Sequence, residues 1–166
     1  MFVFLLILIP ISLFGEIIFP ESVYLVDNET GFKIMLGLPP SFIENEYGPP
    51  KEKSIVYKYP SGNEEWRVVY TDFIIKYHTH DMKVTYIGTM SSKFSTPKVK
   101  IGDSLSKITR LYGNPVHAHI YNNSELLYLY SKEIPEINTV SELTTIQFGF
   151  INNRIIGIYL YIVSVV

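Results

Sequence analysis

The chain has 166 residues, a formal net charge of −2 and no cysteine. That balance gives no electrostatic case for nucleic acid or an anionic membrane, and the missing thiols exclude disulfides, cysteine-type zinc sites and a lipidated cysteine. At 47% hydrophobic, with thirteen tyrosines and ten phenylalanines, the chain can fill the core of one domain or two small ones, and its aromatic excess favours strands.

Residues 1–15 are an uncharged apolar run interrupted by Pro10, too short for a spanning helix. The run reads as a signal peptide cleaved after Gly15, which predicts a periplasmic or secreted protein. It has no Lys or Arg before the apolar core, and Leu13 is larger than the residue usual three positions before a cut. An uncleaved anchor or a buried first strand is the alternative, and the membrane becomes a partner only if the segment is retained. Residues 16–33 read as an N-terminal extension with a hairpin through Asp27-Asn28-Glu29-Thr30-Gly31. Asn28 and Asn122 head glycosylation-type triplets, which matter only in a eukaryotic secretory pathway.

Residues 34–50 and 99–115 align at a constant offset of 65. Gly37 matches Gly102, Ser41 matches Ser106, Ile43 matches Ile108, Tyr47 matches Tyr112, Gly48 matches Gly113 and Pro50 matches Pro115. Unrelated windows of this length share about one identity, so the match predicts an internal repeat. Copy one is placed at 34–92 and copy two at 93–166, with the boundary in the polar stretch 91–98. Each copy reads as a short strand, a glycine, a short helix closed by Tyr-Gly and a proline, then antiparallel strands. Hairpins starting at Ile74 and Gln147 end the copies; Asn152-Asn153 suits a turn with positive φ, and His80-Asp81 lies in the other turn. The predicted fold class is α+β: two tandem repeats, each a short helix packed on an antiparallel β-meander sheet.

Gly102-Asp103-Ser104-Leu105 spells the signature of a serine esterase family. The same letters suit a helix entrance, because Asp103 and Ser104 are good N-cap residues. Leu105, Ile108 and Tyr112 then fall on one helical face, and Gly113 with Pro115 ends the helix. Copy one has Pro39 where copy two has Ser104, and it has Ser41 and Glu44 at capping-box spacing. A proline has no nucleophile, so what the copies share is the helix boundary. The esterase family's Asp-x-x-His and Gly-x-Asn-Asp blocks are absent from the sequence. The expectation is therefore that Ser104 is a cap and that the protein is not an enzyme, with no catalytic residue and no cofactor.

The four histidines form two pairs, His78/His80 and His117/His119. His-x-His on a strand can grip a metal from one face, but the pairs are not equivalent in the two copies and only Asp81 is an adjacent acid. No metal site is assigned; histidine-based metal binding stays as a lesser alternative. Alternation in copy two sets Ile156, Ile158, Leu160 and Ile162 against Tyr159 and Tyr161, Leu127 and Leu129 against Tyr128 and Tyr130, and Val116, Ala118 and Ile120 against His117, His119 and Tyr121. With the aliphatic set on the helices, the other face would present Tyr121, Tyr128, Tyr130, Tyr159, Tyr161, His117 and His119, with Trp66 as a candidate from copy one. Tyrosine-rich faces of this kind suit protein recognition; the alternative is that these are ordinary half-buried strand residues.

The element "IGDSLSKITRLYGNP", followed by meandering strands and the closing "FGFINNRIIGIYL" hairpin, resembles the repeat unit of the SmpA/BamE outer-membrane assembly proteins and of the β-lactamase-inhibitor-protein fold. The resemblance covers residues 32–166. It implies an exported, non-enzymatic α+β protein that holds a protein partner in the envelope or outside the cell, with inhibition of a secreted hydrolase as the alternative. The sequence lacks the lipobox cysteine of the one family and the disulfides of the other, so no functional residue transfers.

Overall fold

The computed structural model describes residues 23–115, 117–121, 125–134 and 141–165. The expected signal peptide, residues 16–22 of the extension and the Asn122 triplet lie outside the described residues. The fold is α+β and mostly strand. In chain order the elements are β1 (Tyr24–Asp27), β2 (Lys33–Met35), α1 (Pro40–Tyr47), β3 (Glu52–Lys58), β4 (Glu64–Val69), β5 (Phe73–His78), β6 (Lys83–Thr89), β7 (Phe94–Ser95), α2 (Leu105–Tyr112), β8 (His117–Tyr121), β9 (Glu125–Ile134), β10 (Ser141–Ile151) and β11 (Arg154–Val165). A small sheet has the order β2-β1-β7 and a large one the order β3-β4-β5-β6-β11-β10-β9-β8. The large sheet is antiparallel throughout.

Each helix leads into a four-strand meander, and the two meanders meet at their last strands. The seam consists of Tyr86, Ile87, Gly88 and Thr89 of β6 opposite Tyr161, Leu160, Tyr159 and Ile158 of β11. Alternation then sorts the side chains. Phe73, Ile75 and Tyr77 of β5, Ile87 of β6, Ile158 and Leu160 of β11, and Ile146 and Phe148 of β10 are buried in one core with Ile43 of α1 and Ile108 and Tyr112 of α2. The helices use matching contacts: the Tyr47 ring lies 4.9 Å from Phe73 and the Tyr112 ring 5.5 Å from Phe148. The small sheet adds Leu25, Ile34 and Phe94 to the same core.

The helix boundaries follow from local chemistry. Ser104 caps α2, its hydroxyl accepting from the Lys107 amide at 3.3 Å. Asp103 stands just outside; it accepts from the Lys100 amide and pairs with the Lys107 ammonium at 2.6 Å. The expected Ser41/Glu44 capping box is not formed. The N-cap of α1 is Pro39, with no side-chain cap bond; its proline-fixed backbone and that of Pro40 start the helix and place Ser41 inside the first turn. Gly48 and Gly113 close the helices with φ of 75° and 77° and ψ of −167° and −150°, a region open essentially to glycine alone and distinct from the left-handed helical one.

Each helix entrance is also tied to the last strand of its own half. The Gly37 amide donates to the Val84 carbonyl at 2.7 Å and the Val84 amide to the Leu38 carbonyl at 3.0 Å. In the second half Gly102 donates to Ile155 at 2.8 Å and Ile155 to Asp103 at 2.9 Å.

Asp27 ties its own turn to α1 and to the connector just before β7. It is fully buried and accepts from the Glu29 and Thr30 amides and the Tyr47 hydroxyl, with the Lys93 ammonium 3.6 Å away. Burial alone would raise its pKa, but the two amides, the Tyr47 hydroxyl and Lys93 together hold it below the usual carboxylate value.

Two outcomes follow. A depressed folded-state pKa means that the stabilisation is complete above the unfolded value of 3.8 and fades as pH falls below it. Urea midpoints of the wild type should therefore decline below about pH 4, and Asp27→Asn should be less stable at neutral pH with a flatter acid limb. Gly113→Ala should cost roughly 1–3 kcal/mol in chemical denaturation, against about 1 kcal/mol for Ser104→Ala.

Candidate functional site

The helices and the small sheet contribute their buried residues to one side of the large sheet. The opposite side of the seam carries Tyr86, Tyr159 and Tyr161, all half-buried. Glycines let these rings lie down on the strands. A Cβ at Gly88 would come within 2.5 Å of the Tyr86 hydroxyl oxygen and 3.0 Å of the Tyr159 ring, and one at Gly157 within 2.7 Å of the Tyr159 ring carbon bearing the hydroxyl. Glycine in a strand marks such close approach, and here it turns the tyrosines' broad faces outward. Tyr86 and Tyr161 lie side by side, their centroids 6.5 Å apart and their planes 29° from parallel. The Tyr161 hydroxyl donates to Gln147 Oε1 at 3.2 Å. Burial, with Tyr159 and Tyr161 close by, pushes the Tyr86 hydroxyl up to about 12; burial also raises that of Tyr161.

Toward the β5–β6 turn this floor runs into a cleft of about 670 Å³. Its walls include Glu65, Lys76, His78, Asp81, Lys83 and Gln147. The Lys76 ammonium lies 3.5 Å from Glu65 and 5.5 Å from the Tyr86 ring centre. His80 Nε2 is 3.7 Å from Asp81. His78 ends β5 while His80 stands in the turn, so this pair straddles the strand end, their rings 5.7 Å apart. Among the described residues no three His, Asp or Glu side chains converge on a metal position.

The register divides the residues expected to share this face. His117 lies opposite Leu129, which lies opposite Gln147 and then Tyr159; His119 lies opposite Leu127, and Tyr121 opposite Glu125. These positions belong to the tyrosine side. Tyr128 and Tyr130 do not: Tyr128 is opposite Phe148 and Tyr130 opposite Ile146, so both fall in the rows of the helix side, and Leu127 and Leu129 take the other. Pairing with β10 decides the face of β9, and the buried Phe148 and Ile146 fix β10, whereas the Leu/Tyr alternation of β9 is compatible with either side. Trp66 is also on the helix side. It pairs with Tyr77, packs against the core, donates to Glu64 and lies 5.0 Å beneath the Lys53 ammonium. Tyr86 was missed by the sequence expectation, although "YIG" at Tyr86–Gly88 has the small-beside-tyrosine alternation of "GIY" at Gly157–Tyr159; a bulge in β6 between its pairs with Lys76 and Tyr77 obscures the period of two.

Ser104 belongs to another part of the molecule. Its hydroxyl meets the Lys107 amide and, at 2.9 Å, the Ser106 hydroxyl. The backbone around it is zipped to the β10–β11 turn: the Leu105 amide donates to Asn153 at 3.0 Å, where Asn152 and Asn153 take the positive φ values of 49° and 60° expected for them.

No family model matches the sequence, the SmpA/BamE family included, and no curated protein matches it. Solved structures similar to the chain include an extracellular protein containing a SCP domain from Bacillus anthracis str. Ames, with a TM-score of 0.47 and 11% identity, covering 79% of this chain and 49% of that one. This chain thus spans about half the length of that protein. A candidate beta-lactamase inhibitor protein from Streptococcus mutans has a TM-score of 0.28 and 14% identity, covering 86% of this chain and 90% of that one. Likeness of this degree assigns no role to any residue here.

Gly88→Ala should lift the Tyr86 ring off the strand into water. Its hydroxyl should then titrate closer to the ordinary value of 10 than to about 12, read by the pH dependence of its ring carbon resonance.

Proposed function

We propose that the protein is an exported, non-enzymatic module of the envelope or extracellular space that holds a protein partner on its tyrosine face, and that it arose by tandem duplication of a helix-plus-meander unit. The observation that carries the binding reading is the floor of Tyr86, Tyr159 and Tyr161, laid flat over Gly88 and Gly157 on the side of the sheet away from the helices. Flat tyrosines offer large amphipathic contact with few rotamers to freeze. His117, His119 and Tyr121 stand at register positions of the same side. The duplication is supported by the mirrored strand order, the matching Tyr47/Phe73 and Tyr112/Phe148 contacts and the equivalent zips at Gly37/Val84 and Gly102/Ile155.

The non-enzymatic reading is supported by the capping bond of Ser104 and by the backbone setting in which it sits. A fluorophosphonate probe should leave the wild type unlabelled; labelling that disappears in Ser104→Ala would overturn this reading. For the face, the full chain and a Tyr159→Ala/Tyr161→Ala double variant should serve as paired baits for envelope and medium proteins. The partner should be retained by the wild type and reduced at least tenfold on the variant, with thermal unfolding showing both baits folded. Equal retention by two folded baits would refute the tyrosine face.

A further inference from the structure

The seam between the two meanders closes over four residue pairs and then forks. Beyond Tyr86 opposite Tyr161, β11 runs on to Val165 beside β10, while β6 turns away to Lys83 beside β5. On the β6 side of the fork the backbone of Val84 is already bonded to Gly37 and Leu38. On the β11 side, Ile162–Val165 have β10 as their strand neighbour and, among the described residues, no strand on the other edge. The cleft lies in this fork, with Gly37 and Ile162 on its two banks and Tyr86 and Tyr161 at the point where it closes.

We infer that the fork receives an extended peptide from the protein partner, which adds as a strand to the fork-facing edge of β11 at residues 162–165 and sets an acidic side chain against Lys83. An open strand edge is a row of amide donors and carbonyl acceptors with the spacing of another strand, so it selects an extended backbone over other ligands. Four residues span about 13 Å at 3.3 Å each, and a cleft of about 670 Å³ is in the size range of ligand pockets. The charges set the sign of the side chain. Lys76 is engaged by Glu65 and Asp81 faces His80, whereas Lys83 lines the cleft and has no carboxylate within ion-pair distance among the described residues. The outer edge of β3 is a poorer template, because the bulge between Ile55 and Tyr57 breaks its period.

This inference rests on the protein-partner reading and specifies how the partner engages. Its probe is a phage-displayed library of random nonapeptides panned on the full chain, with selected peptides resynthesised and methylated at one backbone nitrogen at a time. Binding should fall at least tenfold on methylation at alternate positions, and at least tenfold on Lys83→Glu, a surface change that leaves the circular dichroism spectrum as it was. A library that yields no binder, binders indifferent to methylation everywhere, or binders indifferent to Lys83→Glu would each overturn the inference. So would selected peptides that act by dissociating a dimer of this chain, since the occupant would then be a second copy. Native-partner capture separates the two readings. Capture lost in Tyr159→Ala/Tyr161→Ala but kept in Lys83→Glu removes the fork and leaves the face; capture kept in both removes both.

Discussion

Four residue pairs between β6 and β11 turn two meanders into one sheet, and most other features of the molecule depend on that short seam. It places Ile87 opposite Leu160 and Thr89 opposite Ile158 on the helix side, so that the residues beneath α1 and those beneath α2 form one contiguous core. It places Tyr86 opposite Tyr161 and Gly88 opposite Tyr159 on the other side, which assembles the tyrosine floor from both halves. A slip of one residue would set Ile87 opposite a tyrosine and turn the apolar faces of the two meanders to opposite sides of the sheet, splitting the core. The core therefore fixes the register, and the register in turn fixes which tyrosines share the opposite face.

The seam needs both halves delivered at a fixed height, and the backbone zips at Gly37 and Gly102 do this by tying each helix entrance to the start of the strand that forms the seam. At the other end of each helix a glycine in a conformation closed to other residues turns the chain toward its meander. Asp27 adds the third tie, because its one buried carboxylate gathers a hairpin turn, the end of α1 and the connector leading to β7. These are polar and torsional constraints on a fold whose stability otherwise comes from apolar burial, without any disulfide to hold it.

Much of this was legible in the letters because it is local. The capped helix at Ser104, the Tyr-Gly terminations, the hairpin through residues 27–31 and the Asn152-Asn153 turn all follow from chemistry within about one turn of chain. Faces are a different matter. Tyr159 and Tyr161 were placed on one side by an alternation anchored to buried Ile158 and Leu160, and the structure has them there. Tyr128 and Tyr130 were placed by the same rule, but Leu127 and Leu129 gave no anchor, and pairing with β10 put them in the opposite rows. Trp66 was assigned by composition alone, and its pairing with Tyr77 on the core side is a tertiary fact. The fork between β6 and β11 was invisible, since it depends on which strands end first once two distant segments have met.

The mirrored strand order also bears on how the protein is made. Leu160 lies 73 positions after its seam partner Ile87, and β11 is the last of the described strands. Bringing such distant segments together costs loop entropy before any contact rewards it. Until those 73 residues have followed it, the edge of β6 lacks its partner and Ile87 has no Leu160 beside it. Pairing of β11 with β6 is therefore the step that joins the two halves, because only that contact gives them a common sheet.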